Sequence, residues 1–496
     1  MLPPMRPLAE PPPLLAPPLR GWPAVLRQGS PEPATPAARA ALSRARAEQL
    51  WWPAPRAGAP RPRACAFGAA GLAAARTAFA DAEIAQAIDP TDVDPERLEA
   101  VFAAPPHVAL WARIGGLACD AALAGPGDAA AALLAGAAAR CPWRGGPIGL
   151  DAAMEAQSLL RAAAMRARGP MRLVGMSPWK RGCLRPFLTG PDGPPRRARV
   201  GAAGRGPVVV WGADGDSADL RVEDGFLRSV GLGIQHAPPA SLILKPGRLH
   251  FDARGPNSFE AVSLAADFPP ALRARAARLR DRLLTLRLTK YNLVGGGRLP
   301  ESGDRMRLLV PGQVETDASI RFGAGAVRTN AALVRAARAR FPDAFLLYKP
   351  HPDVASGWRV GAIDAPAAGA DAIARDADAV ACLDWADRVA TITSLMGFEA
   401  LLRGKSVTTF GHPFYAGWGL TDDVGARLRG RSLDIDALTA AALILYPDYV
   451  DPVTGLPAPP EIVIEALAEE RAAARGAKAR LRAAWRAAIS WVLLRL

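Results

Sequence analysis

Two adjacent carboxylates, Glu223 and Asp224, stand before Gly225 in the run ADLRVEDG at 218–225. A glycine at that point permits a tight turn that presents both carboxyls at a strand end. Paired carboxylates suit general acid/base work on a hydroxyl group, although the same trio also reads as an ordinary turn. His351 follows an apolar run in YKPHPD at 348–353. Together with Lys349 it could bind a phosphate or protonate a leaving group; the plainer reading is a loop histidine held by a hydrogen bond. Asp317, in LLVPGQVETDASI at 308–320, is placed to act as a nucleophile or base, or else to cap the following turn. Thr393 and Ser394 precede a helix that starts near Leu395. Hydroxyl and N–H groups at such a terminus bind phosphate, and otherwise form a plain N-cap. Glu399, one turn into the same helix, could hold ribose hydroxyls or lie on a solvated face. His412 sits in the aromatic, glycine-rich FGHPFYAGWG, a structural loop or a lid. DGD at 214–216 has the form of a metal-binding DxD. It lies in a Gly/Asp/Ser turn that runs on to Asp219, and no His/Cys ligand cluster accompanies it.

Elements that would position these residues follow from the apolar pattern. From 171 onward short apolar runs alternate with helical stretches and polar turns. MRLVGM (171–176), PVVVWG (207–212) and ADLRVEDG read as strands, followed by a helical stretch at about 269–290. A second series runs through RMRLLVPGQ (305–313), AFLLYKPHP (344–352), DRVATITS (387–394) and SVTTFG (406–411), with helices between. Repeated strand–helix units imply parallel sheets covered by helices. Two series predict two Rossmann-like lobes, 171–303 and 304–460, with a cleft between them. Ligands of such sheets sit beyond the carboxyl ends of the strands, which is where VEDG, PGQVETD, YKPHPD and TITS stand.

Outside the lobes the composition shifts. Residues 1–60 are rich in Pro, Ala and Arg and read as a disordered arm whose WWPAP tail docks on the folded part. Residues 61–170 are Ala-rich and read as a helical accessory region without chemistry. The tail 461–496 reads as a helix with Arg475, Lys478, Arg482 and Arg486 near one face and Leu481, Trp485, Ile489 and Val492 at apolar spacing. That pattern fits an interfacial helix or one docked on the body.

The 496 residues are 50% hydrophobic, enough for a large core, and carry a formal charge of +14. The basic balance favours anionic sugars, nucleotides or a phospholipid surface; no nucleic-acid recognition motif appears. The five cysteines are scattered without a CxxC pair, as expected of incidental thiols in a reducing compartment. No apolar leader or run of spanning length is present, which predicts a cytoplasmic protein or one on the cytoplasmic face of a membrane.

VEDGFLRSVGLG (222–233), LTKYN (288–292), LLVPGQVETDASI, LLYKPHPDVASGWRVG (346–361), TSLMGFEALLRGKSVTTFGHPFYAGWGLTDD (393–423) and YPDYVDPVTG (446–455) are long, ordered and collinear. In these blocks the chain resembles the bacterial capsular polysaccharide transferases that add β-linked Kdo (3-deoxy-D-manno-oct-2-ulosonic acid). Long members of that family carry two modules in tandem. This chain resembles one, of the C-terminal, β-2,7 type. It departs from the family at Phe251, where a Tyr is expected, and at Asn257, where an acidic or small residue is usual.

The resemblance implies an α/β, GT-B-like fold, CMP-Kdo as donor and no metal or other cofactor. It implies retention of configuration, with a Kdo-glycolipid as acceptor. It also implies work beside an anionic membrane surface and the proteins of capsule synthesis and export, with no nucleic acid. Carried over by motif, Glu223 or Asp224 moves a proton, Asp317 faces the anomeric carbon, and His351 joins the catalytic set. Gln313, Lys349, His351, Thr393, Ser394 and Glu399 bind the donor; Arg228, Ser229, Lys290 and Tyr291 bind substrate. The alternatives are another CMP- or UDP-sugar transferase, a non-catalytic membrane-associated assembly factor that kept the fold, and a basic nucleic-acid binder.

Overall fold

The computed structural model describes residues 13, 15–115, 117–119, 127–201, 204–213, 218–233, 236–293, 296–425 and 428–474. The DGD run at 214–216 and the basic face beyond 474 lie outside the described residues. The described residues divide into two compact units, one drawn from within 1–173, 184–207 and 453–458, the other from within 174–183, 208–452 and 459–474.

The first unit differs from the sequence expectation in both of its parts. The segment expected to be a disordered arm contributes core. Leu15, Leu19, Leu26, Trp51 and Trp52 are buried, and Trp52 donates its indole N–H to the Pro90 carbonyl at 2.9 Å. Helix α1 (Pro36–Ala47) starts on a Thr35 cap with proline in its first turn. Proline-rich composition here fixes extended backbone between buried apolar residues, and the two tryptophans alone remove a large apolar area from water. The Ala-rich region contains helix α2 (Leu150–Arg166), but also four parallel strands. These are β1 (Ala64–Phe67), β2 (Ile84–Ala87), β3 (Ala100–Phe102) and β4 (Ala118–Cys119), in the order β2-β1-β3-β4. The sequence ACAF of β1 is buried throughout. Alanine is the strongest helix former in isolation, and burial between two layers overrides that preference.

The second unit holds the two lobes. In the first lobe β5 (Val208–Trp211), β6 (Leu220–Asp224), β7 (Ser241–Lys245) and β14 (Asp448–Tyr449) lie side by side in the order β14-β7-β6-β5. β5 and β6 are parallel, with Val222 opposite Trp211. β7 runs antiparallel to β6, with Asp224 opposite Leu242. Among the described residues no α-helix lies between β6 and β7, and the antiparallel pairing shows that the chain folds back beside β6 instead of crossing over. The lobe is therefore mixed rather than purely parallel. Helix α3 (Pro178–Leu188) contributes its first turn to this unit, and α4 (Ser258–Ala265) and α5 (Pro270–Thr285) follow β7.

The second lobe is doubly wound. Its strands are β8 (Arg307–Pro311), β9 (Phe345–Lys349), β10 (Ala372–Ile373), β11 (Arg388–Thr391), β12 (Ser406–Thr409) and β13 (Asp422–Asp423). They lie in the order β10-β9-β8-β11-β12-β13, all parallel. Counted within the lobe, the winding direction reverses between its first strand, β8, and its fourth, β11. Ligand crevices of such sheets open at that reversal. Leu308, Val310, Leu346 and Tyr348 meet Leu333, Val334 and Ala337 of α7 (Asn330–Arg340) in one buried cluster.

Aromatic packing ties the lobes together. Phe226, just after Gly225, stacks on Phe414 with centroids 4.3 Å apart. Phe259 of α4 meets the same ring at 4.9 Å. Phe414, Tyr415 and Trp418 are buried, so the FGHPFYAGWG segment is structural and not a lid. Buried Arg429 clamps it, donating to the Ala416 and Pro413 carbonyls and to the Glu260 carboxylate. Asn257 caps α4, its Oδ1 accepting from the Phe259 and Glu260 amides at 3.1 and 3.0 Å, which accounts for an asparagine there. At the end of the described chain α11 (Pro460–Ala474) buries Val463, Ile464 and Leu467. Arg275 and Arg282 of α5 grip its Glu461 and Glu465. This part of the tail is a docked helix.

Candidate active site

A cavity of about 890 Å³ opens at the carboxyl ends of both lobes' strands, near the upper end of the ~300–1,000 Å³ usual for small-molecule sites. Of the sequence-predicted site residues, Glu223, Asp224, Asp317, His351, Gln313, Lys349, Thr393, Ser394, Glu399, Arg228, Lys290 and Tyr291 all line it. Ser229 does not; it is buried, accepting from Arg228 at 2.8 Å and donating to the Gly231 carbonyl.

Glu223 and Asp224 end β6 with different partners. Asp224 Oδ2 accepts from Nε of buried Arg228 at 2.6 Å, and Arg228 is held in turn by Ser229 and the Ala237 carbonyl. Among the described residues Glu223 has no such cation bound to it; its Oε1 accepts from the Asp224 amide at 3.0 Å. Burial, then the charge of Asp224, pushes the Glu223 carboxyl up to about 7, with Asp317 adding in the same direction and Lys290 opposing. Gly225 serves a purpose other than the expected turn. Its φ is not in the left-handed region, but a Cβ there would lie 2.2 Å from Ser241 Oγ. The glycine lets β6 and β7 approach where the carboxylates emerge.

Lys290 and Tyr291 come from the segment joining the lobes. Burial works against the Lys290 charge, yet Tyr291, Asp224 and Glu223 outweigh it and raise its pKa. Its backbone N–H donates to Glu399 Oε1 at 2.9 Å. Glu399 is thus buried rather than solvated, and burial raises its carboxyl above the ordinary range. It ties α10 (Leu395–Leu402) to the inter-lobe segment, which leaves one of its oxygens for a ligand.

The second lobe's share gathers at the reversal point. Gln313 after β8 and Thr393 after β11 grip each other. The Gln313 amide donates to Thr393 Oγ1 at 2.9 Å, and Thr393 N–H donates to Gln313 Oε1 at 2.9 Å. This lock sets the N-terminus of α10, which Ser394 caps. Asp317 caps α6 (Ala318–Gly323), with Oδ1 accepting from the Ser319 amide at 2.9 Å. That bond orients the carboxylate and leaves Oδ2 to the cleft. His351 Nδ1 accepts from the Asp353 amide at 3.1 Å in the first turn of α8 (Pro352–Ala355). The ring proton therefore sits on Nε2, and burial lowers the pKa so that the imidazole is neutral. Lys349 ends β9 with Nζ on the Ala377 carbonyl at 2.6 Å, just before α9 (Ala379–Trp385), which leaves two further donors.

The sequence reading missed other residues of the cavity wall. His250, against Phe226 and Phe414, is a neutral histidine whose pKa burial, then Lys290, lowers to about 3. Arg359 and Arg375 bring exposed cations from the second lobe, and Trp179, Lys180 and Trp211 stand in the first. Arg359 could have been found inside LLYKPHPDVASGWRVG; the tryptophans carried no spacing signal. Among the described residues no group of three His, Cys, Asp or Glu side chains is arranged to hold a metal ion, and no helix is long and apolar enough to cross a membrane.

Two α/β lobes with one cleft at their strand ends, the second doubly wound, make a GT-B-like protein. The comparisons agree. The family described as "Capsule polysaccharide biosynthesis protein" matches residues 298–449. The structure of Thermosulfurimonas dismutans KpsC, beta Kdo 2,7 transferase, is 32% identical with a TM-score of 0.51, covering 61% of this chain and 100% of that one. The beta Kdo 2,4 transferase of the same KpsC is 31% identical with a TM-score of 0.53, covering 61% and 99%. Capsule polysaccharide modification protein LipA of Neisseria meningitidis serogroup A is 41% identical over 309 residues, 58% of this chain and 44% of LipA. Lipopolysaccharide-processing protein LpsZ of Rhizobium meliloti is 45% identical over 260 residues, 51% of this chain and 59% of LpsZ. The chain thus spans less than two thirds of the length of these curated relatives. It belongs to the capsular β-Kdo transferase family. The two linkage types match it about equally, so the similarity does not choose between them.

Proposed function

We propose that the protein transfers Kdo from CMP-Kdo, with retention, to a Kdo-bearing glycolipid in the synthesis of a lipid-anchored capsular polysaccharide. One observation carries this reading: Glu223 and Asp317, from different lobes, line one cavity close enough for the Asp317 charge to raise the Glu223 pKa. Retention through two inversions needs a carboxylate nucleophile and a second group to move the acceptor proton.

In the first step Asp317 Oδ2 attacks the anomeric carbon. The bond from that carbon to the phosphate oxygen breaks, and CMP departs with the electron pair. His351 Nε2–H, the Lys349 ammonium and the N-terminus of α10 meet the phosphate charge, while Glu399 serves the ribose. In the second step an acceptor hydroxyl attacks the same carbon, Glu223 takes its proton, and the bond to Asp317 breaks. A carboxyl near pH 7 is matched to that task at neutral pH. Asp224 is committed to Arg228 through Oδ2, and its charge helps keep the Glu223 carboxyl raised.

The test is transfer by the full chain from CMP-Kdo to a synthetic β-Kdo glycoside on an alkyl aglycone. Mass spectrometry should show one added Kdo, and NMR a β configuration. Transfer from UDP-sugars with none from CMP-Kdo would replace the donor; no transfer from any donor would leave the assembly-factor reading.

A further inference from the structure

The first lobe's wall of the cleft carries three side chains that this chemistry does not use. Trp179 and Lys180 stand in the first turn of α3, and Trp211 ends β5; all line the cavity and all are half-buried. The register of Trp211 opposite Val222 sets it beside the strand whose next residues are Glu223 and Asp224. Lys180 Nζ lies 4.9 Å from the Trp211 ring centroid. Trp179 meets His236 edge-on at 5.3 Å. Among the described residues Lys180 has no carboxylate partner, and neither indole N–H has an acceptor.

A tryptophan this large is normally covered, with its N–H satisfied. Here two ring surfaces and an ammonium held over one of them face an open cavity. Indole faces bind the C–H faces of pyranose rings, and an ammonium desolvated on an aromatic ring binds a carboxylate strongly. The groups assigned to the nucleotide lie in the other lobe, on β9, α8 and α10. The tryptophan wall instead stands in the lobe of Glu223, the group that takes the acceptor proton, with Trp211 ending the neighbouring strand.

We infer that Trp179, Lys180 and Trp211 form the acceptor subsite, which holds the terminal acidic sugar of the glycolipid. Its carboxylate lies on Lys180, its ring face on indole, and one hydroxyl turns toward Glu223. This assignment rests on the transferase reading but is tested apart from it. An octyl β-Kdo glycoside and its carboxyl methyl ester are titrated into the CMP-loaded full chain by calorimetry, which needs no turnover. The free acid should bind at least tenfold more tightly than the ester. Lys180→Met should abolish that preference and Lys180→Arg retain it. Trp211→Ala should weaken both ligands tenfold or more. CMP should still raise the melting temperature of each variant, which also shows that it folds. In turnover, Lys180→Met should raise the acceptor KM and leave kcat within a few-fold. No binding by the unsubstituted protein, an unchanged acid preference in Lys180→Met, or loss of the CMP response in Trp211→Ala would overturn the subsite. Binding as described without transfer from CMP-Kdo would sink the transferase reading and keep the subsite.

Discussion

At the residue scale, Asp224 and Glu223 share a strand end but not an environment. Asp224 leans on Arg228, whereas Glu223 is held up to about 7 by burial and by Asp224. The raised carboxyl of Glu223, beside an Asp224 bound to Arg228, points to Glu223 as the proton carrier, a choice that the letters EDG left open. Its base form should govern turnover, so kcat/KM should rise with pH through about 7 and level above it. Lys290→Met, which removes a charge that lowers this pKa, should move the rising limb to higher pH. An unmoved limb would count against Glu223. The same shift has a stability consequence. The folded pKa lies above the ordinary 4.5, so between those values the folded chain holds a proton that the unfolded chain has lost. Stability falls as pH rises through that window. Glu223→Gln should therefore be inactive yet more stable than the parent at pH 8, by about 1–2 kcal/mol after solvent screening. That advantage should vanish below the ordinary carboxylate pKa, as thermal melts at both ends would show. Twelve of the thirteen site residues read from the sequence line the cavity, because short motifs end strands. It could not show that Ser229 turns inward, or that Trp211 is left half-covered, since both depend on long-range packing.

At the scale of elements, the glycine of EDG shows how a motif can be right for a different reason. Turn chemistry was the expectation; the observed need is room for Ser241. Gly225→Ala should cost about 1–3 kcal/mol as an overpacked contact and disturb the carboxylate-bearing strand end. Ser241→Gly in the same chain should recover much of that loss. Equal destabilisation of the single and double variants in denaturant titrations would refute the contact. The second lobe was legible because each of its main strands is an apolar run ending in a polar loop. In the first lobe β7 was missed, and with it the antiparallel turn-back. In the Ala-rich region, strands such as ACAF were hidden because local propensity favours helix and only tertiary burial favours a strand.

At the scale of the molecule, proline-rich composition suggested an arm where Trp51, Trp52 and a run of leucines build core. Low complexity alone did not separate extended packed chain from disorder. The cleft belongs wholly to the unit that carries both lobes, and nucleotide binding should stabilise that unit by mass action, about 2.7 kcal/mol at a hundredfold excess over Kd. CMP should raise the melting temperature equally before and after EDTA treatment. A shift with UDP and none with CMP would displace the donor assignment, and a shift lost with EDTA would bring a metal into the site. The central claim is that Asp317 and Glu223 divide a double displacement, and trapping the intermediate tests it most directly. Glu223→Gln, incubated with CMP-Kdo, should accumulate one covalent Kdo per chain by intact-protein mass spectrometry. Peptide mapping should place it on Asp317, and the adduct should be absent when Asp317→Asn is added. An adduct on another residue, or an Asp317→Ala protein that still transfers Kdo, would contradict the account.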